Sequence, residues 1–398
     1  MNNINNDKGK LWSKDYVLLM ISNFFLFFGD ILLLPVLPVY VKQNGVSDIQ
    51  VGIVIAIFFA TSLLMRMFTS RASARFGKRT VLLLSVSCFA LSMLGYYLFA
   101  SLIAIIVIRM VQGLSFGASS TLYSAVTANI IPNERMGEGF GYFGLLMTIA
   151  TALGPLLGAA AVSLPDYNWV FLVALLLGMT GLLSTCFITV DNRQTPIKKF
   201  RTKDFLSDMI EPKVFYEAVF LLLVGLAMGG YNTYVILFAR EISVTNIAVY
   251  FLATALAELI VRTFSGKLYD RKGMNIVVIP GAMAGIISCV VMANATNLAM
   301  ISMSGFLFGT AIGMIFPVME ASAMKKVDSE RRIAASATLL NLLDIGSVLG
   351  PLLFGVMIQL SGYPDTFLLS SLIFMAMAII PFVVNIIKRK SKNNQINT

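Results

Sequence analysis

Residues 152–159 read ALGPLLGA, and residues 350–353 read GPLL again, 196 positions after the first copy at 154–157. Both copies lie inside apolar runs. At that single offset Gly29 pairs with Gly225, Arg66 with Arg262, Arg75 with Arg271 and Gly77 with Gly273. Gly113 then pairs with Gly309, Gly117 with Gly313, Glu134 with Glu330, Arg135 with Arg331, and Gly154-Pro155 with Gly350-Pro351. Leu over Leu is a cheap coincidence in an apolar chain. Arg, Glu, Gly and Pro coinciding without a gap are not, so the sequence is one half written twice in parallel.

Composition says what kind of half. Hydrophobic residues make up 58% of the 398, charged residues 13%, and mean hydropathy is +0.83. Soluble domains carry about 25% charged residues, so this is a membrane composition. A helix needs about 20 apolar residues to cross a bilayer. Spans meeting that need are predicted at 16–42, 48–70, 79–101, 102–124, 138–163, 168–191, 214–239, 244–266, 275–295, 298–322, 334–360 and 364–388. The fold expected is an all-α membrane protein of twelve transmembrane helices in two pseudo-symmetric six-helix bundles. The N-terminal bundle covers 1–191, a cytoplasmic linker 192–213, the C-terminal bundle 214–388 and a cytoplasmic tail 389–398. Parallel halves imply a path between them, opened to each side in turn by rocking.

The net charge of +10 follows the same plan. Lys8, Lys10, Lys14, Arg71, Arg75, Lys78, Arg79, Lys198, Lys199, Arg201, Lys203, Lys325, Lys326, Arg331, Arg332 and the KRKSK tail all fall on one side of the alternating loops. Lys42 and Arg240 fall on the other. Basic loops stay inside, which places both termini in the cytosol of a cell whose inner membrane holds the chain. Lying between apolar segments, the basic residues are a topological signal and not a nucleic-acid surface. The basic start MNNINNDKGKLWSKD precedes a stretch too long for a signal peptide, read as a retained first span. The segment KKFRTKDFLSDMIEPK reads as a surface helix on lipid headgroups.

Chemistry is bounded by what is missing. Histidine is absent, and Cys88, Cys186 and Cys289 are scattered through apolar runs. No metal site, disulfide framework or catalytic constellation is expected, and proton traffic falls to carboxylates. No G-x-x-x-x-G-K-[ST] string occurs, so no cofactor or ATP site is expected.

Short loops SRASARFGKR and GKLYDRKGMN join spans two to three and eight to nine. Gly77 and Gly273 let the backbone reverse there, Arg75 and Arg271 hold the turn at the surface, and Asp270 is placed to cap the adjoining helix ends. Span four carries RMVQGLSFG, with Arg109, Gln112, Gly113 and Gly117. Span five carries Gly154, Pro155 and Gly158, echoed by Gly350 and Pro351. Small residues admit a neighbouring helix and proline bends its own. This pattern reads either as a hinge that seals the path or as simple helix packing. Together these motifs resemble the major facilitator superfamily over essentially the whole chain. The two loops are similar to its hallmark turn, and spans one (LPVLPVY), four and five resemble its twelve-span drug/proton antiporters. Ala74 stands where the turn pattern has an acid, and Ala150 where the span-five pattern begins with glycine. The resemblance implies a proton-coupled exporter of small amphiphilic compounds, acting as a monomer. The alternatives are an exporter of one metabolite such as an opine-type metallophore or siderophore, an importer of sugar or organic acid, and a lipid flippase.

Charges at membrane depth each need a reason. At 1.5 Å per residue, Asp30 and Arg109 both stand about 21–22 Å from the cytosolic ends of their spans. They read either as a proton-exchanging pair or as a static ion pair, with Gln112 a turn away as a substrate contact. Movement of the guanidinium would change how readily Asp30 holds a proton. Glu258 and Arg262, four apart on one helix face, read as mutually neutralising, or as substrate contacts. Arg66 reads as a snorkelling anchor or a binder of an anionic substrate group. Asp344 is a second proton-site or cation-site candidate, while Glu217 and Glu320 read as interfacial. Tyr231, Asn232 and Tyr234 of span seven are candidate substrate contacts, or packing.

Overall fold

A computed structural model describes residues 11–132, 135–164, 166, 168–189, 211–328 and 332–396. Among the described residues every regular element is a helix. The chain separates into two compact units, Met1–Lys199 and Phe200–Thr398.

In the first unit α1 spans Lys14–Leu32, α2 Val36–Gln43, α3 Asp48–Phe76, α4 Lys78–Leu98, α5 Leu102–Ile130, α6 Met136–Val162 and α7 Trp169–Cys186. The local causes are ordinary ones. Ser13 accepts from Tyr16 N to open α1 at 3.3 Å, and Ser47 with Gln50 forms a reciprocal capping box at the start of α3. The single span predicted at 16–42 is two helices, a correction that Pro35 explains. Proline has no N–H to extend the ladder, so Leu33 N and Leu34 N turn back onto Asp30 O and Ile31 O, and α2 begins afterwards. The reversal predicted at Gly77 is present: its φ is +86°, and α4 starts at the next residue.

In the second unit α8 spans Phe215–Glu241, α9 Ala248–Lys272, α10 Asn275–Ala293, α11 Leu298–Lys326 and α12 Arg332–Ile396. Gly273 repeats the turn with φ +84°. Gly362, at φ +81°, divides α12 into two helices. Eleven stretches of described helix are long and apolar enough to cross a membrane; the last, Ala335–Pro381, contains that division and so supplies two spans. The total is the twelve expected.

Each unit packs by the same scheme. In the first, α3 meets α5, α4 meets α5 and α7, and α1 meets α6 and α7. In the second, α9 meets α11, α10 meets α11 and α12, and α8 meets α12. The glycines show why. A Cβ on Gly113 would overlap Phe58 O, and one on Gly309 would overlap Thr254 O. A Cβ on Gly117 would likewise overlap Ser62 O, and one on Gly313 would come within 3.0 Å of the Glu258 Cα. The partners Phe58 and Thr254, like Ser62 and Glu258, are themselves 196 positions apart. The repeat therefore extends from residues to contacts.

Glu134, Glu330, Arg331 and most of the expected linker, residues 192–210, lie outside the described residues. So do the side chain of Asp270, expected to cap, and those of the tail.

Candidate functional site

Among the described cations of the first unit the most buried is Arg109 on α5, its side chain 4% exposed. A guanidinium has five donors, no acceptor and a permanent charge, so burial demands acceptors around it. α3 supplies two. Arg109 Nε donates to Val54 O at 3.2 Å, and the guanidinium carbon lies 4.4 Å from the centroid of the Phe58 ring. One turn along α5 itself, Gln112 Oε1 accepts from Nη1 at 2.9 Å. Asp30 of α1 stands 3.9 Å from Nη1, its side chain 10% exposed. That separation is an ion pair without a direct hydrogen bond. Gln112 spans the gap, donating from Nε2 to Asp30 Oδ1 at 3.4 Å.

α4 completes the cluster. The Tyr96 hydroxyl donates to Gln112 Oε1 at 2.6 Å. Its ring stacks on Phe171 of α7 at 5.5 Å, and Phe171 meets Tyr40 of α2 edge-on at 4.9 Å. Asp30, Arg109 and Gln112 are thus brought together. Gln112 is completely buried and its amide oxygen takes two donors, so here it bridges the charged pair. Sequence reasoning passes over Tyr96 and Phe58. An aromatic residue in an apolar span looks like packing, and nothing in the GYYLF stretch separates Tyr96 from its neighbour.

The repeat supplies an internal comparison. In the second unit Gly305 stands for Arg109, Phe308 for Gln112, Tyr250 for Val54, Thr254 for Phe58 and Cys289 for Met93. Tyr231 stacks on Phe308 at 4.5 Å and meets Phe367 edge-on at 4.9 Å. A Cβ on Gly305 would come within 2.7 Å of the Tyr250 ring. The equivalent place is filled by aromatic packing.

Of the two readings of these residues of α8, packing describes this structure: Tyr231 and Tyr234 are both completely buried, Tyr234 donating to Pro351 O at 3.1 Å, and Asn232 beside them is half-buried. The aromatic run of α8 is core because Phe308, Phe354 and Phe367 close over it.

The other candidates are placed as follows. Arg262 Nη2 lies 3.2 Å from Glu258 Oε2 on α9, and Glu320 of α11 adds a second carboxylate to its field. Arg262 is the more open of the pair, at 37% against 19%. Arg66 is half-buried on α3, where Ser62 takes the place that Glu258 has in α9; Asp344 is half-buried on α12. Gly154 lies against Ile31 and Gly158 against Leu32 O, next to the break in α1, while Gly350 lies against Leu226 O of α8. Pro155 and Pro351 are inside helices. Arg75 rests over the Phe76 ring at 5.3 Å, and Arg271 is exposed.

Glu217, expected at the interface, is completely buried: Lys326 Nζ is 2.6 Å from its Oε1, and Ser322 Oγ donates to the same oxygen at 2.7 Å. α11 runs past its apolar stretch to Lys326 and carries the cation to the start of α8. The three cysteines are free, and among the described residues no cluster of three or more His, Cys, Asp or Glu could hold a metal.

Comparison with known proteins agrees with this architecture. The sequence model of the Major Facilitator Superfamily matches residues 19–341. An uncharacterized MFS-type transporter of Methanocaldococcus jannaschii, MJ1560, is 22% identical over 94% of this chain and 99% of its own length. The quinolone resistance protein NorA of Staphylococcus aureus is 23% identical over 58% of this chain and 59% of its own. Among solved structures, the nucleoside transporter NupG superposes with a TM-score of 0.74 at 14% identity, covering 92% of this chain and 97% of that one. A bacterial homologue of the lysosomal transporter Spinster gives 0.74 at 15% identity, covering 93% and 96%. At such identities the structural likeness speaks for the fold alone.

Proposed function

The chain belongs to the Major Facilitator Superfamily, a family of membrane transporters, and within it we propose a proton-coupled exporter of small amphiphilic compounds. One observation carries the reading. A carboxylate, a guanidinium and the amide that links them are buried in the first unit, at a place the second unit fills with aromatic rings. Intramembrane charge is costly, and a fold that packs well without it has no structural need of it there. The partial likeness to a quinolone resistance protein favours export of amphiphiles over uptake of sugars or nucleosides.

In this mechanism Asp30 is the proton carrier. Deprotonated, it is drawn to Arg109 and accepts from Gln112, tying α1 to α5. Protonated, it loses that attraction while Arg109 stays held by Val54 O and the Phe58 ring, so the two protonation states favour different arrangements of α1. Asp344 is a second proton site. Arg66, and the Glu258–Arg262 pair with its open guanidinium, stand as contacts for charged groups of the substrate. Both termini lie in the cytosol, since nearly all the basic loop residues, Lys42 and Arg240 excepted, fall on one side. The chain works as a monomer.

Inverted membrane vesicles with an imposed pH gradient test this, with ethidium and a panel of fluorescent amphiphiles as probes. The intact protein moves a probe only when the gradient is present, and Asp30→Asn abolishes that movement. Probe flux in Asp30→Asn equal to the intact protein's at every gradient refutes the proton role.

A further inference from the structure

We propose that Tyr96 is a positioning residue for proton exchange: its hydroxyl fixes the Gln112 amide so that a donor faces Asp30. This rests on the reading of Asp30 as proton carrier and adds a residue to it.

The geometry leaves the amide little choice. Arg109 is only a donor, so the end of Gln112 that meets its Nη1 at 2.9 Å has to be the oxygen. The Tyr96 hydroxyl approaches that same oxygen at 2.6 Å and donates to it. With both donors on Oε1, Nε2 points to Asp30 Oδ1 at 3.4 Å and to Met93 Sδ at 3.7 Å. Were the hydroxyl absent, Arg109 alone would hold the amide, and Arg109 is the group whose attraction changes when Asp30 takes a proton. Tyr96 keeps the amide aimed while that attraction comes and goes. Its ring and backbone are held by the stack on Phe171 and by Tyr40 Oη donating to Tyr96 O at 3.0 Å, while its hydroxyl lies beside Arg109 as well as Gln112.

Few other charged groups bear on Asp30. Arg109 from α5 and Tyr96 from α4 are the titratable groups that interact with it among the described residues. α6 and α7 meet this stretch of α1 through Gly154, beside Ile31, and Ala174, beside Gly29.

A hydrophobic carbodiimide tests the idea without a transport substrate, because it attacks buried carboxyls only when they are protonated. Labelling of Asp30, read by peptide mass spectrometry across a pH series in detergent, gives a midpoint for proton loss. In Tyr96→Phe the ring packing survives and the hydroxyl does not. The amide is then held by Arg109 alone and its donor is aimed less firmly at Asp30, so the midpoint is expected to rise by about half a pH unit or more, as a weakened hydrogen bond to a carboxylate implies. Gln112→Leu, which removes the amide itself, is expected to raise it at least as far. Ser22→Ala, at a buried hydroxyl bonded to Gly181 O on α7 at 2.7 Å, leaves it unchanged. A midpoint in Tyr96→Phe equal to that of the intact protein, with Gln112→Leu shifted, overturns the role of Tyr96 and leaves the carrier reading standing. Absence of any pH-dependent labelling at Asp30 in the intact protein overturns both.

Discussion

A double-mutant cycle at Asp30 and Arg109 measures whether the two charges depend on each other. At 3.9 Å and an effective dielectric of 20, their attraction is about 4 kcal/mol. Gln112, Val54 O and the Phe58 ring each take part of the load on Arg109, so the measured coupling will be smaller, about 1–3 kcal/mol. Asp30→Asn leaves a guanidinium that cannot discharge, 4% exposed. Arg109→Met leaves a carboxylate without its cation. The double variant leaves neither, and is expected to be more stable than the sum of the single losses predicts. Thermal unfolding in detergent reads this through tryptophan fluorescence, since Trp12 and Trp169, the two tryptophans of the chain, both belong to the first unit. Acid provides a second handle. The Arg109→Met penalty shrinks as pH falls, because a protonated Asp30 no longer needs a cation. Single losses that add to within about 0.5 kcal/mol at pH 8 would mean the charges do not feel each other, and the reasoning would fail.

Glu217 and Lys326 should respond unequally. Lys326→Met strands a completely buried carboxylate, whereas Glu217→Gln leaves a lysine whose side chain is 42% exposed and can turn to water, so the first loses more apparent melting temperature than the second. Glycines at helix crossings form a graded series: Gly113→Val and Gly309→Val, which overlap Phe58 O and Thr254 O, lower the melting temperature strongly and cost more than about 3 kcal/mol, while Gly266→Ala, with nothing within 4 Å, is neutral.

How far the sequence could be read depends on the physics behind each signal. The halves, the spans and the turns at Gly77 and Gly273 rest on local properties: apolar length, a positive φ, loop charge. Each of these leaves its mark at the residue that bears it. The break in α1 was also written locally, in Pro35, but hydropathy averages across it and so joined α1 to α2. Burial inside a membrane protein is harder, because residues that face lipid and residues that face core are equally apolar. Tyr231 and Tyr234 became core only because Phe354 and Phe367, more than a hundred positions away, close over them. Glu217 became buried because α11 continues past its apolar stretch and delivers Lys326. The Asp30–Arg109 pairing was legible from matched depth, whereas Tyr96 was not, since its role depends on the direction of one hydroxyl.

The two units answer a question that a single copy could not. At the position of Arg109 and Gln112 one copy is charged, and the other is aromatic, with Gly305 and Phe308. At the helix ends the exchange runs the other way. Glu217 and Lys326 of the second unit correspond to Ile21 and Ile130 of the first, where Leu11, Tyr16, Met20 and Ile131 form an apolar cluster with Ile130 against it. Either filling therefore satisfies the same helical framework at both places, and fold requirements cannot explain which half carries charge. What differs is the cost. In the pair of Glu217 and Lys326 the carboxylate is completely buried but the lysine, 42% exposed, keeps contact with water and Ser322 adds a hydrogen bond, so a structural role suffices. Asp30 and Arg109 are 10% and 4% exposed, and at that burial charge is expensive, while the second unit fills the corresponding place with aromatic rings. Under the proposed function that cost has a use: a carboxylate able to gain and lose a proton next to a fixed cation would couple that proton to movement of α1.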